Sequence, residues 1–231
     1  MWSAPLASTL RGRSLPGVKE GHLSQLLACL CGEGLLLAAD RRIAVGHGPQ
    51  TRVHSLQKLF PLGPGAAVAT SGAAVGVYVS RTLSRLLGRR AALPTADLAA
   101  YALSVFQGQY DEFQNQGAAW FSSHPEAHRL SYVLLGGRDQ DGAFSFAFHA
   151  SEAHREPYRR LPTGNVLTVP RRLGLEGRLG HARADGASLS RIRDVALEGL
   201  RVIAGKEEAV AGPFDTASID AGGVRMETSE T

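Results

Sequence analysis

Five consecutive apolar residues, Leu35-Leu36-Leu37-Ala38-Ala39, run directly into Asp40-Arg41-Arg42. A continuous apolar run this short suits a strand covered on both faces. Three charges at its end cost free energy unless the fold supplies partners for them. Residues 26–30 form a similar run, and Cys31-Gly32-Glu33-Gly34 joins the two at hairpin length. The chain must therefore build a sheet with cover on both sides. On such a strand Cys29 and Cys31 point to one face and are poorly placed to bond each other, which makes them small buried residues in a reducing, cytoplasmic compartment.

A third run, residues 66–69, ends at Thr70-Ser71-Gly72, where helix signals begin. Val75, Tyr78, Val79, Leu83, Leu86 and Leu87 recur at three-to-four spacing, with Arg81 and Arg85 on the opposite face. After a connection over 88–93, a second helix opens behind Pro94, with Thr95 as N-cap and Asp97 in its first turn. It carries Leu98, Tyr101, Ala102, Val105, Phe106 and Phe113 on one side. Strands are expected at 132–135 and 144–148 around a turn at 136–142, with Phe144, Phe146 and Phe148 alternating at a period of two. An irregular stretch precedes a third helix over 188–204, whose stripe is Ile192, Val195, Ala196, Leu200 and Ile203. A last strand covers 214–219, and the acidic tail 223–231 is expected to fray. Strands group with strands and helices with helices, which disfavours a doubly wound parallel sheet and points to a layered α+β fold. At 231 residues, 44% of them hydrophobic, one domain accounts for the length.

Composition removes several function classes. The net charge is +4, and the arginines that supply it are scattered, so no nucleic-acid partner is expected. No apolar run approaches the ~18 residues of a membrane span, so no membrane partner is expected either. Residues 1–22 hold prolines and glycines without apolar periodicity and form a leader outside the core, which starts near residue 23. The absence of acids before Lys19, with Arg11 and Arg13 present, also suits an organellar transit peptide or an upstream start codon. His124 and His128 stand four apart, but Pro125 argues against one helical face, and a loop is the better account. Gly174, Gly177 and Gly180 have no strand signal before them, so a phosphate loop is not expected. No Gly-x-Ser-x-Gly or His-Glu-x-x-His motif occurs, and neither metal nor cofactor is implied.

With these readings in place, Gly34-Leu35-Leu36-Leu37-Ala38-Ala39-Asp40-Arg41-Arg42, then Lys58-Leu59-Phe60, then Ser71-Gly72 leading into a helix resemble a proteasome β-type subunit or a bacterial relative. Residues 132–142, the helix opening at Pro94-Thr95 and the closing Phe214-Asp215-Thr216-Ala217-Ser218-Ile219 fit the same family, so the likeness spans 24–220. It implies a four-layer αββα sandwich of the N-terminal-nucleophile hydrolase type, assembled as a homo-oligomer into stacked rings around a chamber. Family members of this kind are threonine-type endopeptidases that act on peptide or unfolded-protein substrates, with an ATPase or other subunits as further partners. Their nucleophile is the first residue of the mature chain. Its α-amine serves as base, a lysine held by an aspartate places positive charge beside the hydroxyl, and a glycine N–H receives the oxyanion.

The resemblance assigns these parts to Ser24, Asp40, Lys58 and Gly72, with Glu208 as the supporting acid. The chain also departs from the family pattern. Ser24 stands for the usual threonine, and Leu23 for the glycine before it. Glu208 replaces an aspartate, Ala211 a serine, and no Gly-Ser-Gly-Ser stretch lies around 163–169. Three functions stay open on the sequence: a peptidase that acts after losing residues 1–23, a catalytically inactive ring subunit or scaffold, and an amidase acting on a small molecule.

Overall fold

The computed structural model describes residues 24–45, 52–88, 95–124, 130–151, 158–161 and 163–230. The leader expected over 1–23, most of the connection expected over 88–93, and the stretch from Pro125 to His128 lie outside these residues. The fold is mixed α+β, with strands in antiparallel sheets and five helices among the described residues.

One sheet has the order β10-β1-β2-β11-β12, formed by Val166–Val169, Leu26–Cys31, Gly34–Asp40, Phe214–Asp220 and Gly223–Ser229. The hairpin of β1 and β2 turns at Gly32 and Glu33, in register from Leu26 opposite Ala39 to Cys31 opposite Gly34. Another sheet has the order β5-β6-β7-β8-β9, from Leu59–Pro61, Ala66–Gly72, Ser131–Arg138, Phe144–Ala150 and Arg159–Leu161. A small ribbon pairs β3 (Arg42–Val45) with β4 (Arg52–Ser55).

Alternation along the strands explains how the layers meet. Leu26, Ala28, Leu35, Leu37 and Ala39 from the first sheet pack with Leu59, Ala67, Ala69, Leu134, Phe146 and Phe148 from the second, so the two sheets share one core. The intervening residues Leu27, Cys29, Leu36 and Ala38 face the other way, onto α4 (Leu173–Ala184) and α5 (Leu189–Ala204). On the far side of the second sheet, Phe60, Val68, Val133 and Leu135 pack against α1 (Val75–Leu87) and α2 (Thr95–Gln116). A short helix, α3 (Ala118–Ser123), follows α2. Every residue of β2 is buried because both its faces are covered.

Several local expectations need correction. The turn of the second hairpin is shorter than expected, because Gly136 and Gly137 continue β7. At Gly136 a Cβ would lie 2.4 Å from Leu35 Cδ2, so a glycine lets the two sheets approach. Residues 223–229, expected to fray, pair along β11 as β12. The stretch after β8 holds β9, β10 and the whole of α4, and the glycines at 174, 177 and 180 lie within that helix. A strand, β10, does precede them. Tyr78, Leu86 and Tyr101, assigned to buried stripes, are exposed, while Val79, Leu83, Leu98, Ala102 and Phe106 are in the core. The third helix begins as read, with the Ser188 hydroxyl accepting from the Arg191 N–H.

Candidate active site

Asp40 ends β2, and Lys58 immediately precedes β5, so the two face each other at one edge of the core between the sheets. The backbone carbonyl of Lys58 accepts from Thr70 N–H at 3.0 Å, which ties its main chain to β6. Its ammonium lies 3.2 Å from both Asp40 carboxylate oxygens. It also donates to Ser24 Oγ at 2.5 Å and to the Arg42 carbonyl at 2.5 Å. Ser24, Asp40 and Lys58 are all buried.

A buried ion pair persists only where the remaining lone pairs and protons are used. Asp40 meets that condition: Oδ1 accepts from Gln25 N–H at 2.8 Å and Oδ2 from Arg42 N–H at 3.0 Å. Burial pushes the Asp40 carboxyl above its ordinary range, opposed chiefly by the Lys58 charge. Burial likewise pulls the Lys58 ammonium down, opposed by Asp40. The other charges at the end of β2 find partners as well. Arg41 makes a bidentate pair with Asp215 on β11, at 2.8 and 2.7 Å, which holds its guanidinium above the usual range. Arg42 lies 3.5 Å from Glu208.

Gly72 ends β6 with φ of 88°, a left-handed conformation that a residue with a Cβ rarely adopts. The preceding Ser71 hydroxyl contacts the Ser24 carbonyl at 3.4 Å, so this strand end abuts the backbone of Ser24. Glu208 stands apart. Its side chain is 94% exposed, and its link to the cluster runs through Arg42, whose carbonyl is the Lys58 acceptor.

Neither the protein-family models nor the curated proteins compared with this chain gave a match. The chemistry rests on the geometry alone. The cluster can hold a positive charge against a serine hydroxyl in a site shielded from water, which favours the alkoxide form. Among the described residues, no three His, Cys, Asp or Glu side chains converge as metal ligands. The Cys29 thiol is buried and pushed up to about 12, which leaves it unreactive.

Sequence reading missed the partners on the other face of β1. Gln25 is fully buried, and its amide donates to the Leu26 carbonyl at 3.1 Å and the Pro170 carbonyl at 3.0 Å. Arg172 Nε donates to Gln25 Oε1 at 2.9 Å, and its guanidinium also pairs with Glu207. The available signal was a polar residue at the head of the apolar run, since a buried amide requires partners.

Proposed function

We propose that this chain is a proteasome-type peptidase subunit that hydrolyses peptide bonds with Ser24 as an N-terminal nucleophile. The Ser24–Lys58–Asp40 contact carries the proposal: a buried ammonium, held by a carboxylate, lies 2.5 Å from a serine hydroxyl. Cleavage of the bond between residues 23 and 24 would free the Ser24 α-amine, whose reference pKa of ~7.7–8.0 suits a general base at neutral pH. The hydroxyl oxygen then attacks the scissile carbonyl while its proton passes to that amine. Lys58 stabilises the developing charge on the nucleophile, and the Gly72 N–H receives the oxyanion. Collapse expels the leaving amine, which takes the proton, and water hydrolyses the resulting ester.

The order of packed layers, helices on a sheet, a second sheet, and helices again, supports the four-layer αββα sandwich within this proposal. Assembly into homo-oligomeric rings in the cytoplasm, with an ATPase or sister subunits as partners, belongs to the same proposal. No described helix is long and apolar enough to cross a membrane. The exposed Glu208, remote from Ser24 contacts, favours a second reading as a catalytically silent ring subunit.

N-terminal sequencing and fluorogenic peptide hydrolysis separate the two readings. A chain that begins at Ser24 and cleaves peptides, with kcat lost on the order of a thousandfold or more in Ser24→Ala, supports the peptidase. An unprocessed chain without hydrolysis supports the silent subunit.

A further inference from the structure

Just ahead of β1, the Ser24 hydroxyl meets Lys58 while the adjacent Gln25 side chain meets Pro170 and Arg172 at the entry to α4, so the two neighbours point to different sides of the chain. Whatever immobilises Gln25 therefore sets the position of Ser24 from behind. Gln25, which immediately precedes β1, has hydrogen-bond partners for both its backbone and its side chain. Its N–H bonds Asp40, its carbonyl accepts from Asp40 N–H at 3.2 Å, and its side-chain amide donates to two carbonyls. The remaining acceptor, Oε1, is filled by Arg172 from the segment that enters α4. Arg172 is itself fixed at two points. Its guanidinium pairs with Glu207 beyond the end of α5, and its backbone N–H donates to Thr168 Oγ1 at 2.6 Å.

From this geometry we infer that Arg172, braced by Glu207, is a positioning residue for the nucleophile: it locks Gln25 and thereby holds the Ser24 hydroxyl against Lys58. The inference rests on the proposed role of Ser24. A half-exposed arginine–glutamate pair alone contributes little. Its weight here comes from the buried amide it completes, because an unfilled Oε1 in a dry site drives Gln25 to rearrange. A small displacement at a reacting atom is costly, since about 1 Å of misplacement can cost roughly a hundredfold in rate.

The test uses the full chain with Arg172→Met, Arg172→Lys and wild type, and it reads two quantities. Hydrogen exchange at the Gln25 amide, which bonds Asp40, reports the position of the strand whether or not the protein is an enzyme. Peptide hydrolysis reports the consequence. Arg172→Met should speed that exchange at unchanged melting temperature and lower kcat by roughly tenfold to a hundredfold with little change in KM. Arg172→Lys keeps the charge but cannot span Gln25 and Glu207 together, so it should recover only part of kcat. Unchanged exchange in Arg172→Met overturns the inference whatever the activity. Faster exchange with wild-type kcat, or a loss confined to KM, overturns the positioning role. A wild type that cleaves no peptide sinks the peptidase reading, and the inferred role of Arg172 falls with it even if faster exchange shows that Arg172 holds the strand.

Discussion

Lys58 Nζ has Ser24 Oγ, the Asp40 carboxylate and the Arg42 carbonyl within hydrogen-bonding distance. An ammonium has three N–H donors and no acceptor, so these oxygens use it completely. In that state Ser24 Oγ accepts from Lys58, and the serine proton must leave to another group. This is why the proposed mechanism turns on a free α-amine and hence on cleavage before Ser24. His149 shows what burial does without such partners. It lies on β8 opposite Val133 and Arg160, its Nδ1 has no hydrogen-bond partner, and burial with the nearby Arg160 charge lowers its pKa to about 4. A folded-state pKa below the ordinary 6.5 means that the unfolded chain takes up the proton first. The neutral ring's contribution is therefore present above about pH 6.5 and is lost as pH falls towards 4. Urea unfolding at pH 7.5 and pH 5 should show wild type losing up to about 2 kcal/mol more than His149→Gln across that interval. Equal losses in the two proteins would mean that His149 is not held neutral.

At the scale of elements, the β1–β2 hairpin offers two glycines two residues apart with opposite demands. At Gly34 an added Cβ would sit 2.2 Å from the Ile219 carbonyl oxygen, part of the β11 backbone, which cannot move without parting the sheet. At Gly32 nothing lies within 4 Å. Gly34→Ala should therefore cost about 2 kcal/mol in denaturant unfolding, while Gly32→Ala should stay within about 0.5 kcal/mol. Equal effects would mean that β2 and β11 are not packed this closely. The same contrast governs what could be read from the sequence. The hairpin, α1, α2, α5 and the alternating phenylalanines of β8 announce themselves through local apolar pattern. Strands β3, β4, β9 and β10 are three or four residues long with mixed polarity, so they have too few positions to show a period. Helix α4 carries three glycines and buries only Leu175 and Leu179, leaving little stripe to detect. Asp40 could be singled out because charge at the end of an apolar run demands partners, whereas Lys58 is reached only through the family resemblance. Gln25, Arg172 and Glu207 come from three distant segments, and only the folded chain brings them together.

For the whole molecule, the proposed assembly makes a demand on surfaces that the core does not satisfy. Tyr78 and Leu86 on α1 and Tyr101 on α2 fall on the apolar periodicity of their helices, yet they are exposed, Tyr78 by 65%. Large side chains left in water beside a well-buried stripe are the kind of surface that closed homo-oligomers cover, and each covered side chain adds roughly 1.5–3 kcal/mol of burial. The 24.5 kDa chain should therefore elute as a large homo-oligomer in size-exclusion chromatography with light scattering at micromolar concentration. The double variant Tyr78→Glu with Leu86→Glu should shift it to monomer, because charges at a subunit contact are desolvated without partners. Its circular dichroism should be unchanged, since neither side chain belongs to the core cluster under α1 and α2. If peptides enter through a ring-enclosed chamber, the dissociated variant should also lose its preference for unfolded chains and cleave exposed loops of folded proteins. A wild type that remains monomeric removes the rings from the proposal and leaves Ser24 chemistry to be judged on single chains. A double variant that stays assembled moves the contact to another face of the molecule.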